Sequence, residues 1–204
     1  MERICVVTPR LTRLDVRSMK IGIIIAVVVG LFLLIWVGWG SYSILSTERP
    51  SYEVERRLTS SVEIRQYEAQ TWISTDHDAD DSSFRVLASY IFGQNQESEK
   101  VAMTAPVITD DRMVFILPEG VTLDNAPTPD GQPIEFTEVP PRKLATLRFS
   151  WTTSDERVER MTEQLIDVLQ ANGIQVMGQP FLMRYNDPGT PPFMRRNEVA
   201  IEVK

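Results

Sequence analysis

Residues 21–39 form the longest apolar segment of the chain, nineteen consecutive residues without a charged or strongly polar side chain. As a helix, this segment rises about 28 Å, close to the roughly 30 Å hydrocarbon core of a bilayer. A core helix of a soluble domain is a poor alternative, because the segment offers water no polar face. A cleaved signal peptide is another alternative, but the segment exceeds the usual apolar region of about 7–15 residues and no A-x-A site follows. The sequence therefore predicts a transmembrane helix at residues 21–39.

The charges on either side of this segment predict its orientation. Residues 1–40 contain five basic and two acidic side chains, a net charge of +3, whereas the whole chain carries -7 and the remainder therefore -10. Basic flanks of a transmembrane helix stay in the cytoplasm. We therefore expect a single-pass cell-membrane protein with a cytoplasmic flank at residues 1–20 and a linker at residues 40–50. The main domain, residues 51–204, is then exported to the periplasm or the cell exterior.

The composition of the chain excludes several classes of function. A single Cys and a single His exclude a disulfide framework and the usual zinc clusters. The acidic charge argues against nucleic acid as the main partner. The sequence has no G-x-S-x-G elbow, Walker loop, dinucleotide-binding glycine motif or H-E-x-x-H motif. We therefore expect a protein that is not an enzyme, and nothing in the sequence indicates its protein partners.

The single histidine, His77, lies in an acidic segment that runs from Asp76 to Asp81. The segment does not fit a calcium-binding EF-hand, because Asp81 stands where that loop needs Gly and Leu87 where it needs Glu. One interpretation is a solvated loop whose acids favour the N-terminus of the helix that follows. The other is a metal or ligand site, for which His77 is a weak candidate.

The main domain shows the same order of elements twice. Apolar alternation predicts a strand at residues 62–73, with a change of face near Arg65 and Gln66 that suggests a bulge. A helix at residues 82–92 and two short strands at 100–108 and 113–117 follow. The second half predicts a strand at 145–151, a helix from 153 to 173, and strands at 181–185 and 199–203. Two similar halves of this kind predict an α+β domain with two helices outside its sheet.

Two further features each allow two interpretations. Arg195 and Arg196 are adjacent cations that suit a carboxylate or a propionate, or that balance an acidic surface. The methionines of the domain suit either an adaptable apolar pocket or an ordinary core. These methionines are Met103, Met113, Met161, Met177, Met183 and Met194.

Three segments resemble one known family. They are SYEVERRLTSSVEIRQYEAQTW at residues 51–72, VAMTAPV at 101–107 and YNDPGTPPFMRRNEVAIEV at 185–203. In sequence and in order they are similar to the SOUL haem-binding family, and the similarity covers nearly the whole main domain. The resemblance implies a distorted antiparallel β-barrel of two similar halves flanked by two helices, and binding of haem or a related tetrapyrrole.

The resemblance also implies where a ligand binds. The haem site of the family is an apolar pocket beside the first helix of the domain. Carried over to this chain, that pocket contains the apolar face of the helix and one residue of the neighbouring strand: Phe84, Leu87, Ala88, Ile91 and Met103. Some members have a His ligand after an aromatic residue of the first strand, and this chain has Glu68 after Tyr67 instead.

Together these features predict a membrane-anchored SOUL-like protein that binds haem or another hydrophobic ligand without catalysis. Iron accepts His, Cys, Met or Tyr as axial ligands. Without such a ligand, binding would depend on apolar burial and on arginine pairing with the propionates. The fold also resembles effector-binding modules of transcription regulators. The alternative function is therefore a non-haem interaction or effector-binding module tethered at the membrane.

Overall fold

The structure, a computed structural model, describes residues 13–76 and 82–204. His77, the weak metal candidate, lies outside the described residues. The chain divides into two compact units, Met1–Trp39 and Gly40–Lys204. Each unit is therefore described by itself.

The first helix, α1, spans Arg13–Ser46 and contains the apolar segment. Within it, Ser18–Tyr42 is the one segment of the described residues that is long and apolar enough to cross a membrane. A signal sequence near the N-terminus meets the same criterion. The helix also extends through residues 40–46, so the first part of the expected linker is helical.

The described residues of the second unit contain nine strands and two helices besides the end of α1. The strands are β1 (Tyr52–Arg57), β2 (Val62–Tyr67), β3 (Gln70–Asp76), β4 (Val107–Thr109), β5 (Arg112–Ile116), β6 (Glu135–Val139), β7 (Arg142–Phe149), β8 (Phe181–Arg184) and β9 (Asn197–Glu202). The helices are α2 (Ser82–Ile91) and α3 (Asp155–Ala171), and a short 3-10 helix covers Pro192–Met194. All strand pairs are antiparallel, in the order β1-β2-β7-β9-β8-β4-β5-β3-β6.

The expected duplication is visible in the topology. The first half, β3-α2-β4-β5, and the second half, β7-α3-β8-β9, have the same order, and β4 pairs with β8 at their junction. The strand that precedes each half pairs with the first strand of the other half. Strand β2, which precedes β3, pairs with β7, and β6, which precedes β7, pairs with β3. The predicted α+β fold of two similar halves is therefore confirmed.

The sheet curls into a half-barrel. The Arg142 guanidinium of β7 lies 4.6 Å from the ring centroid of Trp72 on β3, although four strands separate β7 from β3 in the sheet. Only a strongly curved sheet brings these two residues together. The predicted distorted barrel is thus a half-barrel with β1 and β6 as its edges, and the face that carries Arg142 and Trp72 is its concave face.

Three clusters of buried side chains form the core. Two lie on the convex face, one beneath α3 and one beneath α2, and the third lies on the concave face. The α3 cluster contains Val62, Ile64, Ala145, Leu147, Phe149, Leu165, Leu169, Leu182, Val199, Ile201 and Val203. The α2 cluster contains Ile73, Leu87, Ala88, Tyr90, Ile91, Val101, Met113, Phe115 and Leu117. The concave cluster contains Tyr67, Ala105, Ile108, Val114, Ile116, Leu144, Met183, Tyr185 and Ala200.

The strand expected at residues 62–73 is two strands, because Glu68 and Ala69 separate β2 from β3. The expected bulge at Arg65 and Gln66 is wrong, since the shift in register lies in β1, between Val54 and Arg56. Both faces of β2 are buried, so a change in the side of its apolar residues does not require a bulge. Of the strand expected at residues 100–108, only the end belongs to a strand, β4, and Thr104 forms an isolated bridge with Glu48.

Candidate functional site

A buried carboxylate lies at the centre of the concave face. Glu198 of β9 is fully buried, and Arg65 of β2 is 3% exposed. Arg65 donates two parallel hydrogen bonds, from Nη1 to Oε2 of Glu198 at 2.7 Å and from Nη2 to Oε1 at 3.1 Å. This bidentate geometry is the strongest form of a carboxylate–guanidinium pair.

Two more side chains complete the coordination of this carboxylate. Arg196 Nε donates to Oε1 of Glu198 at 2.9 Å, and the Tyr185 hydroxyl donates to Oε2 at 2.9 Å. Each carboxylate oxygen therefore accepts hydrogen bonds from two different residues. We call Arg65, Tyr185, Arg196 and Glu198 the concave-face cluster.

The register of the sheet explains how Arg65 reaches Glu198. Glu63, Thr146 and Ala200 are aligned across β2, β7 and β9, in the row between Arg65 and Glu198. Thr146 and Ala200 are small and fully buried. Because they leave space above the sheet, the long Arg65 side chain extends over them, and its Nε also pairs with Glu63 at 2.8 Å.

The electrostatics of the cluster set the protonation of its members. Burial by itself raises the pKa of Glu198, but hydrogen bonds and charges from Arg65, the charge of Arg196 and the Tyr185 hydroxyl outweigh it, so this pKa lies below its ordinary value. Burial raises the pKa of Tyr185 well above its ordinary value, and the charge of Glu198 adds to this effect. At neutral pH the carboxylate is therefore ionised and the phenol is a neutral donor.

Each arginine of the cluster lies over one aromatic ring. The Arg65 guanidinium lies 4.5 Å from the ring centroid of Tyr52, and that of Arg196 lies 4.0 Å from the centroid of Tyr185. Such contacts favour a desolvated guanidinium. The pairing and stacking of these side chains make the cluster a rigid scaffold, and its members have no proton to exchange near pH 7. The cluster is therefore unsuited to acid–base catalysis.

A cleft of about 450 Å³ opens beside the concave face. Its lining includes four glutamates and one arginine: Glu48, Glu68, Glu119, Glu138 and Arg49. Arg49 connects the cleft to the cluster, since its guanidinium lies 5.8 Å from the ring centroid of Tyr185. The excess of carboxylates disfavours an anionic ligand in this cleft.

A second cleft, of about 600 Å³, lies between α3 and the β4–β8 junction. It is acidic as well. Its charged lining residues are Asp110, Asp155, Glu159, Glu163 and Arg184. Neither cleft includes any residue of the pocket that the sequence predicts beside α2.

The five residues of that predicted pocket all belong to one region of the structure. Leu87, Ala88 and Ile91 are buried in the α2 cluster, and Met103 packs against it partly buried. Phe84 is 40% exposed, and its ring meets Phe115 edge to face at 5.3 Å. Three of the five are thus core residues, and Phe84 reaches the surface.

Sequence reasoning missed one aromatic residue here. Phe92 is 62% exposed, and its N–H donates to the Ala88 carbonyl at 3.0 Å, which continues the helical hydrogen bonding beyond α2. Phe84, Ala88 and Phe92 are therefore spaced four residues apart on one side of the helix. We call this side the α2 stripe. The four-residue spacing is visible in the sequence, but the exposure of Phe92 depends on how the helix packs on the sheet.

The other candidates have clear placements. Arg196 belongs to the concave-face cluster, and Arg195 fixes a loop, donating to Thr190 O at 2.8 Å and Pro188 O at 2.6 Å. Both therefore have intramolecular roles. Within residues 13–76 and 82–204, no group of three or more His, Cys, Asp or Glu side chains is arranged to hold a metal ion.

Comparisons with known proteins place these features in context. A family model described as SOUL heme-binding protein matches residues 47–202. No curated protein sequence gives a significant match. Two solved structures that match with TM-scores of 0.50 and 0.51 share the fold, at identities too low to indicate function.

Three solved structures illustrate the similarity. The crystal structure of the EcmrR C-terminal domain has a TM-score of 0.50 at 13% identity, covering 75% of this chain and 98% of that one. The cryo-EM structure of an EcmrR–DNA complex has a TM-score of 0.51 at 12% identity, covering 95% and 73%. A hydrolase from Listeria innocua has a TM-score of 0.48 at 9% identity, covering 71% and 92%.

Proposed function

This chain belongs to the SOUL heme-binding protein family, and we propose that it binds haem or another hydrophobic tetrapyrrole-like ligand without catalysing a reaction. The observation that carries the proposal is the family match across residues 47–202, which is nearly all of the second unit. The scarcity of groups for acid–base or nucleophilic chemistry supports a binding role.

The α2 stripe is the proposed site, because it fits the parts of a haem better than either cleft does. Haem carries two propionates, and both clefts have an excess of carboxylates. The stripe instead offers the exposed rings of Phe84 and Phe92 for the porphyrin face. Arg85 and Lys100 are also exposed here and provide cations for the propionates.

The axial iron ligand in this site would come from a side chain next to the α2 stripe. Met103 packs partly buried against the α2 cluster and is the candidate ligand of the predicted pocket. A thioether is an accepted axial ligand of haem iron. Tyr67 and Tyr185 do not fit this role, since burial raises the pKa of each phenol and both point into the concave face. Ligand binding would therefore depend mainly on apolar contact and carboxylate pairing.

We also propose that α1 anchors the chain in a membrane, with the main domain exported. The support is the apolar segment Ser18–Tyr42 together with the basic residues that precede it. Trp36 and Trp39 lie near the C-terminal end of this segment, where indole rings favour the membrane–water interface.

Titration of hemin into the full chain in lipid nanodiscs tests the ligand proposal, with the Soret band as the readout. We expect a saturable shift near stoichiometric protein, corrected for empty nanodiscs. Phe84→Ser with Phe92→Ser should weaken binding, because the porphyrin loses two aromatic contacts. Met177→Ser is the control, since Met177 is 58% exposed on another part of the domain. No saturable shift in the parent chain would contradict haem as the ligand.

Two substitutions locate the iron ligand. Met103→Leu preserves an apolar side chain of similar size and removes the sulfur. If Met103 ligates, this variant alters the visible spectrum of the complex while the apolar contacts remain. His77→Ala tests the histidine in the same way, and spectra unchanged by both substitutions would show that binding does not involve either residue at the iron.

A non-haem effector-binding role at the membrane is the second candidate, and the acidic clefts favour it. Carboxylates around a partly apolar cleft attract a cationic amphipathic molecule and repel a dianionic porphyrin. A cationic dye and hemin, titrated separately into the same preparation, distinguish the two. Saturable binding of the dye that is lost in Glu68→Gln with Glu138→Gln, without hemin binding, would favour the second candidate.

A further inference from the structure

Trp151 has a backbone conformation that is unusual for its residue type. Its φ is +78°, in the left-handed region where an L side chain is disfavoured. The residue is held there from both sides, because its N–H donates to Pro192 O at 2.9 Å and its carbonyl accepts from Nδ2 of the buried Asn197 at 3.0 Å. Glycine would adopt this conformation without strain. A bulky aromatic residue at such a position points to a role for its side chain.

That side chain faces solvent, next to a second exposed aromatic residue. Trp151 and Phe193 are each 53% exposed. Phe193 directly follows Pro192, the residue whose carbonyl binds the Trp151 N–H. Two exposed aromatic residues therefore lie on neighbouring backbone segments at the surface of the domain.

The position of this pair relative to the start of the domain is informative. Gly40, the first residue of the second unit, is buried against the loop that carries Phe193. A Cβ at Gly40 would lie only 2.8 Å from Pro191 Cδ and 3.6 Å from Thr190 Cγ2, so the close approach depends on glycine. The 187–195 loop is itself fixed, by the Arg195 hydrogen bonds to Pro188 and Thr190.

The apolar segment of α1 ends at Tyr42, two residues beyond Gly40. Two residues correspond to about 3 Å along a helix axis. In a chain anchored by this segment, the loop packed on Gly40 therefore lies at the boundary between hydrocarbon and water. Tryptophan is enriched at this depth, because its ring is amphipathic, and phenylalanine adds apolar area to the same layer.

We propose that Trp151 and Phe193 form a membrane-docking surface that inserts into the interfacial layer of the bilayer holding α1. The inference rests on the proposed anchor and adds a second, independent contact with lipid. Docking would hold the main domain against the membrane. It also explains why a bulky residue persists at a position with positive φ.

Site-directed spin labelling of the full chain in nanodiscs tests this surface. In a Cys5→Ser background, a nitroxide at Thr152→Cys reports the environment beside Trp151. We expect collisions with lipid-dissolved oxygen to exceed those with a water-soluble nickel complex. The combination of Trp151→Gly and Phe193→Ser should shift this label toward water. A label at Asp130→Cys, in an exposed loop elsewhere in the domain, should stay in water in both backgrounds.

A label at Leu34→Cys separates failure of the docking surface from failure of the anchor. If Leu34 reports lipid and Thr152 reports water in the parent chain, the docking surface is overturned and the anchor stands. If Leu34 reports water, both are overturned. A Thr152 label protected from both reagents indicates a protein contact and also overturns the inference. The parent measurements are decisive even if the double variant folds poorly.

Discussion

The two faces of the sheet are stabilised by different interactions. The convex face is packed against α3 and α2 by aliphatic and aromatic side chains, with Leu165 and Leu169 of α3 fully buried. The concave face buries an ionised carboxylate between two arginines. Both faces have buried side chains, but among the described residues only the concave face buries charged ones.

The difference shows how each face responds to change. Apolar burial is proportional to area and does not depend on direction, so loss of a methyl group costs in proportion to its contacts. A buried ion pair depends on complete pairing, because an unpaired buried charge is far more costly than a small cavity. The concave face should therefore tolerate conservative polar substitutions less well than their small change in volume would suggest.

The largest expected effect is that of Glu198→Gln. The substitution keeps the size of the side chain, removes the carboxylate that pairs with the partly buried Arg196, and leaves the buried Arg65 with Glu63 as its counter-charge. We therefore expect a loss of about 3–5 kcal/mol in the free energy of unfolding. Chemical denaturation of the full chain in detergent measures it.

Glu202→Gln is the control for this substitution. Glu202 is on the same strand and pairs with Arg142 at 3.6 Å, but its side chain is 43% exposed. Pairs that water reaches contribute only about 0–1 kcal/mol. Equal effects of Glu198→Gln and Glu202→Gln would show that burial of the cluster is unimportant.

On the convex face, Leu165→Ala tests apolar packing alone. Leu165 is fully buried in the α3 cluster, and truncation should cost about 2–5 kcal/mol through lost burial and a residual cavity. Gln164→Ala, at an exposed position of the same helix, should change stability by no more than about 0.5 kcal/mol. A Leu165→Ala cost as small as that of the control would mean that α3 is only loosely packed on the sheet.

The same contrast explains which parts of the fold could be predicted from sequence. The α2 and α3 helices follow from apolar residues at helical spacing, and β9 follows from the alternation of Val199, Ile201 and Val203. These patterns arise on the convex face, where the residues that face the core are apolar and recur at the period of the helix or strand. The duplicated order of elements was visible for the same reason.

The concave-face cluster followed no such pattern. Glu198 and Arg65 occupy the alternate positions of their strands, which the alternation rule assigns to solvent, and 133 residues separate them. Their pairing depends on the order of strands in the curled sheet, which a single sequence does not reveal. The sequence contains one signal of this pairing. Arg65 in β2 and Glu198 in β9 are oppositely charged, and both lie on the concave face.

The candidate site was predictable in part. The position of Phe84, Leu87, Ala88 and Ile91 on one helix followed from their spacing, but the depth of burial of the last three depends on packing across the sheet. The exposure of Phe92 and the positive φ of Trp151 depend on contacts with residues that are distant in sequence. No local sequence rule predicts a tryptophan at a position that favours glycine.

The third prediction applies one substitution to both faces. Tyr185→Phe removes a hydroxyl that donates to the Glu198 carboxylate at 2.9 Å, and bonds to a charged group contribute about 1.5–3 kcal/mol. Tyr90→Phe in the α2 cluster removes a hydroxyl that donates to the neutral Pro127 carbonyl at 2.7 Å, a bond of about 0.5–1.5 kcal/mol. Thermal or chemical denaturation should therefore rank Tyr185→Phe as the more destabilising. The reverse order would remove the distinction between the faces.

The smallest effect is a pH dependence that only the concave face should show. The pKa of Glu198 is lower in the folded chain than its ordinary value, so its ionised form is stabilised by folding. That contribution is complete above the unfolded pKa, about 4.3, and is lost as pH falls through the lower, folded value. The difference in unfolding free energy between the parent and Glu198→Gln should hence be constant from neutral pH to about 5 and shrink in acid. Because Leu165→Ala removes no titratable group, its difference from the parent should stay constant over the same range. A difference for Glu198→Gln that widens on acidification would mean that folding favours the protonated carboxyl, and the cluster could not then be an ion pair.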